Sequence, residues 1–267
     1  MKLKIEFSQN AIINFLIAEV AITAIKFYIV QSIPGLYVYN SIANVLISII
    51  LIFFLIPALI AVLRKKPIFV IGTIGSFVLV LLTQMLFFSR NTNVILGYLP
   101  KIIGMSLGCF ISAYGLKEYE KFYEKLVVVS RIIIIFATIQ FVAYEFLGII
   151  GSEQLDYNMS FGFFLVVPII TMFNHFLETN RVVSCIFVLW GLAMVLIMGS
   201  RGAVLAIFIG SLMCYLTKMN VKRIKDIIVL FLAIFVGIVF IFSYEYIALY
   251  LYEYLKSKNL DSRLLFM

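Results

Sequence analysis

The stretch SIANVLISIILIFFLIPALIAVLRKK, residues 41–66, decides the fold. From 41 to 63 it is apolar almost without interruption, and it then stops abruptly at Arg64, Lys65 and Lys66. A helix needs about 20 mainly apolar residues to cross a hydrocarbon core roughly 30 Å thick at about 1.5 Å per residue. This run is long enough. It is far too long for a barrel strand, and polar and apolar residues do not alternate along it as a barrel requires.

The rest of the chain has the same character. Its 267 residues are 64% hydrophobic and only 13% charged. A soluble domain holds about 45–50% apolar and about 25% charged residues, so one aqueous core could not hide these side chains. Low charge excludes disorder, and five prolines with fifteen glycines exclude collagen and low-complexity classes. Nine segments resemble the first: roughly 10–33, 41–63, 68–88, 94–116, 126–150, 159–177, 182–198, 202–217 and 227–250. The expected fold is all-α: one integral membrane domain over 1–267, a polytopic bundle of about nine transmembrane helices, with 251–267 opening a loop beyond the last span. The first span is too long for a cleavable signal peptide, carries Glu19 and Lys26, and lacks a small-residue cleavage site.

Charge sets the expected orientation. Lys2 and Lys4, Arg64 to Lys66, Lys117, Lys121 and Lys125, Arg181, and the cluster Lys218, Lys222, Arg223 and Lys225 all fall in one set of loops. The opposite set holds only Arg90, Arg201 and the tail residues Lys256, Lys258 and Arg263. Positive residues stay in the cytoplasm, so the amino terminus is expected inside and the tail outside. The same rule accounts for the net charge of +8 without nucleic acid. Lys117 to Lys125 reads as an amphipathic interfacial continuation of the fourth helix, or as a solvated connector.

Charges inside spans are costly and are sites by default. Arg131 lies near the cytoplasmic start of its span and can snorkel to the interface. Lys26 and Lys101 lie deeper, and Glu145 reaches a depth at which it can pair with Lys101, beside the helix-breaking Pro100. Either these charges neutralise one another or reach headgroups, or they line a cationic pocket open to anionic lipids. Cys109, Cys185 and Cys214 sit in apolar runs without metal-ligand spacing, and the single histidine, His175, makes neither a metal site nor a triad. No metal or cofactor is expected. Neither phosphate-loop, dinucleotide, nucleophile-elbow nor zinc-protease motifs occur.

The most informative short segment is Met198-Gly-Ser-Arg-Gly-Ala203. So few residues between two apolar runs demand a tight helical hairpin. Gly199 suits the left-handed residue that ends a helix, and Ser200 suits the N-cap of the next. Gly202 and Ala203 allow a backbone or bulky ligand to come close. Arg201 falls in the first turn of the following helix, where the dipole disfavours a cation by about 0.3–1 kcal/mol. The same N–H groups together with a guanidinium make a phosphate site.

With Gly199-Ser-Arg-Gly-Ala203 opening an apolar helix, a basic loop from Lys218 to Asp226, another span, and then Asp261-Ser-Arg-Leu264, the chain resembles the O-antigen polymerase/O-antigen ligase family. These are membrane glycosyltransferases that use lipid-linked donors. The resemblance implies polymerisation of polyprenyl-diphosphate-linked oligosaccharide units into O-antigen, capsular or exopolysaccharide on the outer face of the bacterial cytoplasmic membrane. It implies that Arg201 and Arg263 hold the donor diphosphate, with Ser200, Gly202, Lys101 and Arg90 as further donor-binding candidates. The expected partners are the lipid-linked oligosaccharide, membrane lipids and other polysaccharide-assembly proteins, with no nucleic acid. The family continues through a large outer loop that supplies a base, whereas this sequence stops at Met267, so its acceptor side is expected to be missing. Tyr98, Tyr157 and Tyr244 either stack on sugars or belong to the interfacial belt. A lipid-linked oligosaccharide flippase, or a non-catalytic membrane subunit, is the alternative.

Overall fold

The computed structural model describes residues 2–32, 36–87, 92, 106–145, 159–198 and 200–218. Among them are eight α-helices and one 3-10 turn at Leu36–Tyr39, and no strand. The helices are α1 (Lys2–Ser32), α2 (Asn40–Leu63), α3 (Pro67–Phe87), α4 (Cys109–Gly115), α5 (Tyr119–Glu145), α6 (Met159–Thr179), α7 (Val182–Ile197) and α8 (Arg201–Lys218). Five of these, α1, α2, α3, α5 and α6, contain stretches long and apolar enough to cross a membrane. With 16 and 18 residues, α7 and α8 are shorter apolar helices of about 24 and 27 Å. Of the expected span 94–116, only Ser106 onward is described, and the expected span 227–250 and the tail 251–267 lie outside the described residues.

What these helices leave uncovered identifies their solvent. Helix α3 exposes Ile71, Leu79 and Leu86 at 65, 66 and 78%. A soluble chain does not leave so much contiguous apolar surface bare, whereas a helix that bonds its own backbone groups suits hydrocarbon. The chain is a helical membrane protein.

The helices gather into two compact units, Met1–Val30 with Gly35–Leu126, and Gln31–Pro34 with Val127–Met267. In the first unit, Ile12, Ile13 and Leu16 of α1 pack with Leu55, Ala58 and Val62 of α2 and with Ile111 of α4. A Cβ added to Gly115 would lie 2.5 Å from Val62 Cγ2 and 3.1 Å from Ile12 Cδ1, so α1 and α2 close on a residue without a side chain.

Buried Gln9 secures this end of the unit. Its Nε2 donates to the Gly115 carbonyl (3.0 Å), while its Oε1 accepts from the N–H groups of Lys117 (2.8 Å) and Glu118 (3.4 Å). One side chain thus partners backbone groups at the end of α4 and just before α5. Leaving such buried groups unpaired costs about 1–3 kcal/mol. Of the two expectations for Lys117 to Lys125, helix continuation is excluded, and the stretch is a connector only as far as Glu118. Residues Lys117 to Lys125 do not continue the preceding helix: α4 ends at Gly115, Leu116 is extended (φ −68°, ψ 133°), and Tyr119 starts α5. Gln9, remote in sequence, satisfies backbone groups on both sides of the break.

The second unit is built on α6. Phe161, Leu165, Ile169 and Met172 are buried along one face, at helical spacing. Gly191 of α7 lies against Ile169, since a Cβ there would come within 2.8 Å of Ile169 Cγ1, and Gly210 of α8 packs on Ile170. Small residues of this kind let helices approach closely where no hydrophobic effect drives them together. At one end, Lys218 of α8 ties back to α6 through Glu178 Oε1 (2.8 Å) and the Asn174 carbonyl (3.2 Å). At the same end the α6–α7 turn places Asn180 at φ 52°, a left-handed position that asparagine tolerates better than most residues. Trp190 of α7 donates to Thr138 Oγ1 of α5 (2.9 Å) and meets Phe141 edge-on.

Candidate functional site: the hairpin between α7 and α8

The hairpin lies at the end of the second unit opposite the Lys218–Glu178 bridge. Helix α7 closes with the N–H of Ser200 donating to the Val195 carbonyl at 3.2 Å, the six-to-one bond of a Schellman turn. The Ser200 carbonyl then accepts from Val204 N–H at 3.1 Å, which opens α8. Ser200 therefore stands at the N-cap position, as its sequence context predicts, and it is 1% exposed. Gly199 lies outside the described residues.

Helix α6 seats this turn. A Cβ on Gly162 would collide with Ser200 Oγ, and would lie 2.5 Å from Ser200 Cβ and 2.9 Å from Ala203 Cβ. A Cβ on Gly202 would stand 3.1 Å from the Phe163 ring. Two consecutive residues of α6 thus fix the turn and the first helical residues beyond it. The sequence reading missed both. Their signal was there, a glycine between phenylalanines at the start of an apolar run, but nothing local says which helix that glycine faces.

Arg201 is the first residue of α8, so its α-carbon stands at the positive end of the helix dipole. Its side chain lies outside the described residues, as do Arg90, Lys101 and Arg263 entirely. The structure therefore brings Ser200 and Gly202 together with Gly162 and Phe163, and fixes where the Arg201 backbone begins. The Lys101–Glu145 pairing and the positions of Tyr98, Tyr157 and Tyr244 also fall outside the described residues.

Of the other in-span cations expected from sequence, Lys26 is in the first unit and Arg131 in the second. The Lys26 ammonium donates to Asn40 Oδ1 and to Asn44 Oδ1 (2.8 Å for the second), at the start of α2. Cys109, Cys185 and Cys214 are half-buried thiols. Among the described residues, no three His, Cys, Asp or Glu side chains gather as metal ligands.

Gln140 was also missed. It is fully buried on α5, and among the described residues neither amide atom has a hydrogen-bond partner. An unpaired buried amide costs about 1–3 kcal/mol, while a same-shaped apolar group costs nothing comparable. Gln140→Leu is therefore expected to raise the thermal stability of the purified protein. If activity falls while stability rises, the amide is retained for function.

No protein-family model, curated protein or solved structure matches the chain.

Proposed function

We propose that this protein binds a polyprenyl-diphosphate-linked oligosaccharide at the α7–α8 hairpin and takes part in its polymerisation outside the bacterial cytoplasmic membrane. One observation carries the reading. Arg201 opens α8 directly behind a buried serine cap, in a turn that Gly162 and Phe163 hold in place. A cation at a helix start is unfavourable for the empty helix and favourable once a diphosphate shares the position. Resemblance of Gly199 to Ala203 and of Asp261 to Leu264 to the O-antigen polymerase/ligase motifs supports the same chemistry.

In this reaction an acceptor hydroxyl oxygen bonds to the anomeric carbon of the donor sugar. The bond from that carbon to the diphosphate oxygen breaks, and the diphosphate leaves with the electron pair. The hydroxyl proton passes to a base, which is not assigned to any described residue. Negative charge grows on the leaving group, so a preorganised guanidinium binds the transition state more strongly than the ground state. Arg201 supplies that charge, with Arg263, Lys101 and Arg90 as further cations and Ser200 and Gly202 shaping the turn. The bond that breaks carries the driving force, so the transfer requires no nucleotide.

The test is the chain-length distribution of surface polysaccharide in cells lacking the protein. Single repeat units at the surface support polymerisation. Lipid-linked units stranded inside the cell would instead assign the protein to translocation, and unaltered long chains would refute both readings.

A further inference from the structure

At the end of the first unit where Gln9 sits, two basic segments distant in sequence lie side by side. The α2–α3 turn contributes Arg64, Lys65 and Lys66, all exposed. The α4–α5 connection contributes Lys117, and the first turn of α5 contributes Lys121. They adjoin because Val62 packs on Gly115 and because Lys66 Nζ rests 4.1 Å above the Tyr114 ring. Tyr114 is in turn stacked on Phe69, with centroids 3.7 Å apart and 21° between planes. The ammonium is therefore held against a rigid aromatic pair, although a lysine at such a position is free to extend into water.

The level of this cluster is marked by its neighbours. Leu63 and Ile68, flanking the three cations, are 41% and 87% exposed. Hydrocarbon must reach both, so the residues between them stand at headgroup height. Acidic groups here are fewer than cations: Glu118 lies 3.6 Å from Lys121, and Glu120 is exposed in the first turn of α5.

We infer that this corner is a binding site for an anionic phospholipid bearing two phosphates, held by Arg64, Lys65 and Lys66 with Lys117 beside them, with its acyl chains against the exposed faces of α2 and α3. Charge complementarity selects the anion, the excess of five cations over two carboxylates favours two phosphates over one, and the bare apolar helices accommodate several chains. The inference is independent of the role proposed for the hairpin.

The full-length protein in detergent is titrated with diphosphatidylglycerol, phosphatidylglycerol and phosphatidylethanolamine, and bound lipid is read by native mass spectrometry. Diphosphatidylglycerol is expected to bind at least about tenfold more tightly than phosphatidylglycerol, with phosphatidylethanolamine not retained. Each cation near a charged lipid surface changes affinity about fivefold, so Lys66→Gln combined with Lys117→Gln is expected to weaken binding about 25-fold. Tyr114→Leu removes no charge and is expected to weaken it about threefold by releasing Lys66. Equal binding of the one- and two-phosphate lipids would overturn the inference. So would a Tyr114→Leu protein that binds like the wild type, since only a diffuse positive surface would then remain. Should the double variant fail to insert, Tyr114→Leu alone decides the matter.

Discussion

Arg201→Ala is expected to lower polymer formation about 10²–10³-fold, the usual loss when one preorganised donor to a developing anion is removed. Membrane levels of the protein should be unchanged, because the residue begins a helix whose packing is carried by Ala203, Ile207 and Gly210. Arg201→Lys keeps the charge but loses the planar fork that can hold two phosphate oxygens at once, so it should recover only part of the activity. The helix itself should, if anything, be steadier in the alanine variant, since a cation at its start is unfavourable by about 0.3–1 kcal/mol. A variant with lost polymer and undiminished stability separates this account from one in which Arg201 merely anchors the hairpin to lipid headgroups. Chain-length analysis of surface polysaccharide, with melting of the purified protein alongside, supplies both readouts.

Gly162→Leu is the second large effect, and it acts without touching any charged group. The position has no room for a Cβ, and what stands in the way is Ser200 and Ala203, whose β-carbons cannot swing aside. Helices α6 and α8 must therefore separate, and overpacking of this kind costs about 1–3 kcal/mol. The functional loss should be larger than the stability loss implies. A shift of about 1 Å at a positioning element can cost about 10²-fold in rate. Gly162→Ala should give a milder version of the same defect. Adding Ala203→Gly to it removes the β-carbon 2.9 Å away and should restore part of the activity. Undiminished activity in Gly162→Leu would show that the contact does not position the turn.

Much of the architecture was legible because the bilayer imposes a length. The apolar run ending at Leu63 matches α2, and the runs expected at 68–88 and 182–198 match α3 and α7 within a residue or so. The end of the fourth span, expected at 116, matches α4, but the start of α5 at Tyr119 rather than 126 was not legible. Tyr119 to Lys125 is charged enough to read as a connector, and the Gln9 that bonds both sides of the break at Leu116 lies more than a hundred residues upstream. At the hairpin, Ser200 and its place before α8 followed from local capping chemistry. Its seat did not, because Gly162 carries no sign of the helix it faces. Gln140 was hidden for a different reason: one glutamine in an apolar run can turn to lipid, to protein or to water, and only burial shows which.

Accessibility of the hairpin tests the central claim most directly. In a protein with Cys109, Cys185 and Cys214 replaced by serine, a single cysteine is introduced by Arg201→Cys, or by Arg181→Cys at the opposite end of the second unit. A membrane-impermeant maleimide is added to intact cells, and then to cells whose cytoplasmic face has been opened. The account predicts labelling of the first cysteine from outside and of the second only after opening. Labelling in the reverse pattern would place Arg201 in the cytoplasm, away from any polysaccharide assembled outside, and would contradict it.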